Sequence, residues 1–462
     1  MEGLRYRELD GSPPGLRLLA TFYERLYAAE FPDPDERESL DSIQDYLRRK
    51  DAGWYGDNNY HVVVACDGER PVGGVIFDFL ADAEAGVVEF LVVDRAWRGR
   101  GLGSALLEHT ERALAADAAA RGRRRPPWLV AEMNDPFWPD PVADSADPFE
   151  RAAIWGRWGF HRLVFPYVQP ALAADKRPVP HLMLAVKFLA GGAADVSSLT
   201  VVSVLHEYLR WAMRIPEPER SPEFRAMAEH LRAAPVVRTL ALGTYVGRDP
   251  DRPIDVRPVE TGGDLEGVLD VYRRAFAPGP TTADPGVLRR AVHAGGRRAD
   301  ARYHLWAVRC AAGAPVEGMA SFFTFPEGGF GGYVALTGSL HGTGRLRGLL
   351  ARIEEQMIRD RLGARGWYVE CQPGSLAARL FARAGFQELA LPYRQPPLGA
   401  TGPSPALLLM YKEFGARGTA PRLEAGAVGA ALRRIGSVAY ELDGAALEAW
   451  TATVVGSPSR RA

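Results

Sequence analysis

Residues 159–172 read GFHRLVFPYVQPAL, and residues 385–398 read GFQELALPYRQPPL. Gly, Phe, Leu, Pro, Tyr, Gln, Pro and Leu recur at the same offsets. Each copy then runs into an apolar strand that ends in lysine, PHLMLAVK to Lys187 and PALLLMYK to Lys412. The likeness extends upstream. YHVVVACDGERPVGGVIF from Tyr60 parallels YHLWAVRCAAGAPVEGMASF from Tyr303. The glycine-rich turn and helix RGRGLGSALLEHTERAL from Arg98 parallels HGTGRLRGLLARIEEQM from His341. A short apolar strand holding a glutamate follows each turn, WLVAEMN with Glu132 and WYVECQ with Glu370. Solenoid repeats have periods of about 20–50 residues; a period this much longer marks duplicated domains.

Each half reads as strand, helix, strands, glycine turn, helix, strand, helix and two strands. Leu4–Leu9 and Ile254–Val259 are the first strands. His61–Ala65, Pro71–Phe79 and Val87–Val93 are short, β-branched and separated by turn residues, which predicts an antiparallel meander. In the second half Asp264 is the expected N-cap of a helix with Leu265, Val268, Leu269, Tyr272 and Phe276 on one face. This order is an α+β pattern: two domains of one kind, each a mixed, mostly antiparallel sheet flanked by helices. Between the halves, Val201, Val204, Leu205, Tyr208 and Ala212 share a helical face. A second helix opens at Ser221 with Pro222 in its first turn. After Lys412, a Gly/Pro/Arg linker leads to Val428, Ala431, Leu432, Ile435 and Val438 on one helical face. The expected boundaries are 1–190, a helical linker 191–250, 251–415, and a helical tail 416–462.

The chain has 462 residues, which alone suggests about three domains. Lys plus Arg is 56 and Asp plus Glu is 57, a net charge of −1. That balance gives no electrostatic case for a nucleic-acid or anionic-membrane binder. Cys66, Cys310 and Cys371 are too few and too scattered for a disulfide framework, and no Cys/His spacing suits zinc. No metal is expected. The N-terminus lacks a signal-peptide pattern, and the most apolar stretch, Phe188 to Leu205, is a poor membrane span. A cytoplasmic protein is expected, its oligomeric state left open.

The turn Arg98-Gly99-Arg100-Gly101-Leu102-Gly103 lies between a strand and an amphipathic helix. Glycines permit a tight bend and close approach of a ligand. The first N–H groups of the helix, unpaired and at its positive dipole end, suit a pyrophosphate. A dinucleotide fingerprint needs G-x-G-x-x-G after the first strand of a βαβ unit, and a Walker loop needs G-x-x-x-x-G-K-S/T. Neither is present. In Arg98, Gly101 and Gly103, and in Gly159-Phe160 further on, the first half resembles the GNAT (Gcn5-related) N-acetyltransferase superfamily, and the second half resembles it more loosely. The resemblance implies transfer of an acyl group, usually acetyl from acetyl-CoA, to an amine. It implies CoA contacts at Val92, Val93, Arg98, Gly99, Arg100, Gly101, Leu102, Gly103, Ser104 and Asn134. In the second turn Gly342 and Gly344 keep their places and Arg345 adds charge, but His341 replaces Arg98, and Leu346 replaces Gly103, a steric objection to phosphate.

An alkyl amine is mostly protonated at neutral pH, so a base near the acceptor is useful. A thiolate is a fair leaving group, so an acid is less needed. The oxyanion calls for a backbone N–H from the fourth strand. Glu89 on that strand is a candidate base, on the same face as Val87; Gly332 matches it in the second half. Glu132 is a second candidate, repeated as Glu370. The family's general-acid tyrosine is replaced by Trp155 and Phe381, which leaves Tyr167, repeated as Tyr393, as the nearest candidate acid. Arg121, Arg123, Arg124 and Arg125 form an expected exposed loop. His61 and His304 begin equivalent strands as structural residues. Phe137 and Trp138, in an insert found only in the first half, are candidates for a lid. The expected function is acetyl transfer from acetyl-CoA to the amine of a small molecule or peptide by the first half. The alternatives are a catalytic second half and a non-catalytic acyl-CoA-binding module.

Overall fold

The computed structural model describes residues 3–455 apart from 124–125, 127, 141, 174, 190–194, 248–253, 260–261, 294–296, 299, 342–343, 397, 399–403, 416–422 and 424. The chain divides into two compact units, residues 1–138 with 142–246, and residues 139–141 with 247–462. Among the described residues, no helix is long and apolar enough to cross a membrane.

The first unit is built on strands β1 (Leu4–Glu8), β2 (Asn59–Asp67), β3 (Arg70–Leu80), β4 (Ala85–Val93), β5 (Trp128–Asn134), β6 (Phe160–Leu163), β7 (Leu182–Phe188) and β8 (Thr239–Ala241). They line up as β1-β2-β3-β4-β5-β7-β6-β8. Every pair is antiparallel except β4 with β5. The parallel pair joins only Ala85–Val88 to Trp128–Ala131. Beyond Val88 the two strands separate, and that split places the site. On β3–β4 the pairing jumps from Ile76↔Phe90 to Phe77↔Val88, so Glu89 is the extra residue of a β-bulge.

Helices cover both faces of the sheet. Apolar residues of α3 (Leu102–Ala120) and α4 (Pro148–Arg157) pack on one face, against Val75, Phe77, Val88, Leu129 and Ala131. α1 (Pro13–Phe22), which continues to Glu30, and α2 (Leu40–Asp51) cover one end of the other face. α5 (Ser198–Glu207) and α6 (Pro222–Arg232) cover its remainder, against Leu80, Val87, Val130, Leu184 and Val186. The helical residues expected between the two domains therefore fold as part of the first sheet's core. Val201, Val204, Leu205, Tyr208 and Ala212 all lie in it. Ser221 caps α6 through the Phe224 N–H, with Pro222 in the first turn, as its sequence predicts.

The second unit repeats this plan in β9 (Asp255–Pro258), β10 (Ala301–Arg309), β11 (Gly318–Phe325), β12 (Gly328–Leu336), β13 (Gly366–Cys371), β14 (Gln387–Glu388) and β15 (Leu408–Glu413). Their order is β9-β10-β11-β12-β13-β15-β14, with β12 and β13 parallel. The bulge recurs, and its extra residue is Gly332. α7 (Gly263–Ala275), α8 (Pro285–His293), α9 (Arg345–Arg359) and α10 (Leu376–Arg383) are followed by α11 (Ala425–Val438) and α12 (Gly444–Val455). The last two pack on Phe330, Tyr368, Leu409 and Tyr411, as α5 and α6 pack in the first unit. One expectation is corrected. α7 is capped by Gly262, and Asp264 sits inside the first turn with its carboxylate on Arg309.

Polar pairs recur as well. His61 on β2 bonds Asp117 of α3 at 2.8 Å, and His304 on β10 bonds Asp360 after α9 at 2.8 Å. Lys187 bonds Glu111 at 2.6 Å, as Lys412 bonds Glu354 at 2.6 Å. The histidines tie the sheet to the helix after the glycine turn, the structural role expected of them. Arg121 and Arg123 donate to the carbonyls of Asn58 and Ala81, so this part of the basic run staples a loop; Arg124 and Arg125 lie outside the described residues.

Candidate active site

A cavity of about 560 Å³ opens in the first unit where β4 and β5 part. At one end lie Arg98, Gly99, Gly101, Leu102, Gly103 and Ser104; along the wall lie Val92 and Val93; deeper lie Glu89, Glu132 and Asn134. One space thus collects most of the residues selected from sequence in the first half. Arg100 is not among its lining residues; its guanidinium lies 5.3 Å from the Trp97 ring centroid. Nor does Tyr167 line it, because its hydroxyl is spent on Glu132. The insert after Glu132 does wall the cavity, with Ala143, Asp144, Ser145 and Ala146. Phe137 and Trp138 pack instead on Phe149, Tyr245 and His181.

The turn has the form of an anion cradle. Gly99 and Gly101 have φ of +74° and +84°, where a side chain is strained. Gly101 begins α3 with no side-chain cap, and the first helical bond is Ala105 N–H to Gly101 C=O at 3.0 Å. The N–H groups of Leu102, Gly103 and Ser104 precede that bond and sit on residues lining the cavity. Arg98 is held by Glu30 at 2.6 Å and by the Val93 carbonyl at 3.1 Å. Half-exposed pairs of this kind are weak, and phosphate oxygens compete well for a guanidinium.

Gly103 has a further cause. A Cβ there would meet the Trp158 ring tip at 2.9 Å. In the second unit Leu346 and Ala384 stand where Gly103 and Trp158 stand, and both pack against the core beneath α9. The exchange conserves volume. Leu346 is therefore a packing partner, and the steric objection raised from sequence does not hold. A different obstacle exists. Gly344, the αL cap of α9 with φ +73°, has the Gly247 backbone against it, with Gly247 Cα 2.5 Å from the position of a Gly344 Cβ. At Gly101 that space is open. Arg345 opens α9; Gly342 lies outside the described residues.

Two of the cavity's carboxyls, Glu89 and Glu132, differ. Glu89 faces the same side of the sheet as Val87, toward α5. Its carboxylate meets Arg214 at 3.0 Å and neighbours Asp78. Arg214 also donates to the Tyr55 hydroxyl at 2.7 Å and lies 3.8 Å from the Tyr46 ring centroid. Burial and the adjacent Asp78 push Glu89 well up, and Arg214 opposes them. With two carboxyls and one guanidinium buried together, ionisation of both acids at once is disfavoured. Among the described residues, no cation pairs with Glu132. Burial pushes it up to about 8, against hydrogen bonding from Tyr208 and with a further push from Glu36. Tyr167 donates to it as well. The second unit holds the same tyrosine–glutamate pair with a second tyrosine beside it. Tyr393 and Tyr440 donate to Glu370, the latter at 2.6 Å, and burial pushes Glu370 up to about 7. Sequence patterns exposed Glu132, Glu370 and both Pro-Tyr segments. They missed Asp78, which sits on the neighbouring strand β3, and Tyr208 and Arg214, which lie far away along the chain; none of the three carries a motif.

A model of the acetyltransferase (GNAT) family matches residues 20–125. No curated protein matches the chain in sequence. Among solved structures, a putative GNAT-family acetyltransferase from Bacteroides thetaiotaomicron is similar at 20% identity and TM-score 0.33, over 46% of this chain and 99% of its own. The ribosomal-protein-S18-alanine N-acetyltransferase from Escherichia coli is similar at 16% identity and TM-score 0.26, over 41% and 96%. A GNAT-family acetyltransferase from Elizabethkingia anophelis with acetyl-CoA bound is similar at 12% identity and TM-score 0.24, over 41% and 100%.

Proposed function

We propose that the first unit is an acyl-CoA-dependent N-acyltransferase that moves acetyl from acetyl-CoA to a primary amine. The supporting observation is a cavity that joins an open glycine turn at Arg98–Ser104 to a buried carboxyl at Glu132 that has no ion-pair partner among the described residues. The pyrophosphate would rest on the N–H groups of α3 with Arg98 beside it. The thioester would lie along β4, whose backbone beyond Val88 has left β5 and can offer an N–H to the oxyanion. The amine nitrogen attacks the carbonyl carbon, the C–N bond forms, and the C–S bond breaks. The proton lost by nitrogen passes to Glu132 and then to the departing thiolate.

Glu132 is the better base on charge grounds. Protonating it returns the group to the neutral form that its surroundings favour. Protonating the remaining carboxylate beside Arg214 would strand a buried cation. Glu89 therefore serves as a fixed countercharge, and Tyr167 orients Glu132 without touching substrate. In this reading the second unit is a diverged copy whose turn is closed by Gly247. The acceptor is a small-molecule or peptide amine, no nucleic acid, membrane or metal is required, and the setting is cytoplasmic. Thiol release from acetyl-CoA with a panel of amines tests the proposal. Turnover that Gly101→Glu abolishes supports it. CoA binding without turnover on any amine favours the binding module instead.

A further inference from the structure

Six acids line the cavity. Arginines hold three of them: Arg98 holds Glu30, Arg214 holds Glu89, and Arg151 holds Asp144. Glu150 sits in the first turn of α4, where the helix dipole favours it. Glu36 and Glu132 remain, the former bonded by His181 at 2.6 Å and the latter by Tyr167. Glu36 lies on the loop before α2 with Asp33, and ligand atoms of Asp33, Glu36 and His181 all lie within 4.8 Å of one another. Among the described residues, no Lys or Arg pairs with Asp33 or Glu36.

Strand register relates this cluster to Glu132. Glu132 pairs with Leu184 on β7, Asn134 pairs with Leu182, and the Asp135 N–H donates to the His181 carbonyl at 2.9 Å. His181 is three positions from Leu184, on the order of 10 Å along an extended strand. Asn134 shares the Glu132 face of β5 and stands between the two points. It is 5% exposed; its Nδ2 donates to Asp144 at 2.7 Å, which leaves Oδ1 buried without a partner. A buried acceptor of this kind is costly until a donor reaches it.

We propose that the acceptor is a linear polyamine: its terminal amine reacts at Glu132, and a distal ammonium rests on Glu36 and Asp33. The proposal rests on the acyltransferase reading and names its acceptor class. Carboxylates only accept hydrogen bonds, and an ammonium only donates them. An inner amine N–H meets Asn134 Oδ1. The transfer is the one described above, and the distal ammonium keeps its proton throughout. A metal ion is the poorer occupant, because the His181 nitrogen that meets the Glu36 carboxylate carries a proton and offers no lone pair.

Thiol release from acetyl-CoA by the full-length protein is measured with heptylamine, α,ω-diaminoheptane and bis(aminopropyl)amine. The kcat/KM should rise at least about tenfold from monoamine to diamine, mainly through KM, and be highest for the triamine. Glu36→Gln keeps an acceptor for His181 and removes the charge. It should cut the diamine-to-monoamine ratio about tenfold, and Asp33→Asn, on the exposed side of the cluster, should cut it in the same direction. A wild-type ratio near one, or a ratio that neither folded variant moves, overturns the proposal. Calorimetry with CoA in place of acetyl-CoA reads diamine binding without turnover. If the diamine binds, Glu36→Gln weakens it about tenfold and no amine is acylated, the acyltransferase reading fails while the cation subsite stands. Binding of manganese at the cluster with no binding of the diamine overturns the proposal.

Discussion

Glu132 and Glu89 sit in one cavity with opposite prospects. Glu132→Gln should lower kcat/KM by about 100- to 1,000-fold and remove the acidic limb near pH 8. The same group bears on stability. The folded carboxyl keeps its proton up to about 8, and the unfolded one releases it near 4.5, so rising pH between these values favours unfolding. Thermal melts of Glu132→Gln should show a shallower decline over that window. At the other acid, Glu89→Gln leaves Arg214 with only the longer-range attraction of Asp78 and should cost less than loss of the arginine itself. Arg214→Met leaves two buried acids without a cation and should cost about 3–5 kcal/mol, read by urea denaturation. Only part of this contrast was legible in sequence. Glu132 stood out because an acid recurs on an apolar strand in both halves. The partner that decides Glu89 could not be seen, since Arg214 is 125 positions away and reaches it through an irregular turn.

Elements were more legible than side-chain partners. The strands, the glycine turn and the amphipathic helices announce themselves through local periodicity, and each lies within a few residues of its expected place. The bulge at Glu89 and the parting of β4 from β5 have no local signature, since both depend on the neighbouring strand. The exchange of Gly103/Trp158 for Leu346/Ala384 shows how an element absorbs such a change. Gly103→Leu should destabilise the first unit by about 1–3 kcal/mol through the clash with Trp158. Adding Trp158→Ala should recover much of that loss. A double-mutant cycle on thermal unfolding measures the coupling, and additive effects would contradict the packing account.

At the scale of the molecule, the repeat fixed the number of sheets, while the extent of each unit needed the three-dimensional core. The helices after Lys187 are amphipathic, and periodicity alone does not say which surface they cover. A fragment ending at residue 190 would bare Leu80, Val87, Val130 and Leu184 and should lack a cooperative melt, whereas one ending at residue 246 should unfold cooperatively. Calorimetry on the whole chain should find one acetyl-CoA, because the Gly101 turn is open and the Gly344 turn is covered by Gly247. The strand order also governs events during synthesis. β8 is a sheet edge, and it leaves the ribosome about 50 residues after β7. At about 5–20 residues per second, the nascent sheet waits about 3–10 s with the outer edge of β6 unpaired and one apolar face bare. For those seconds, holding factors at the tunnel exit have a target that the finished protein no longer displays.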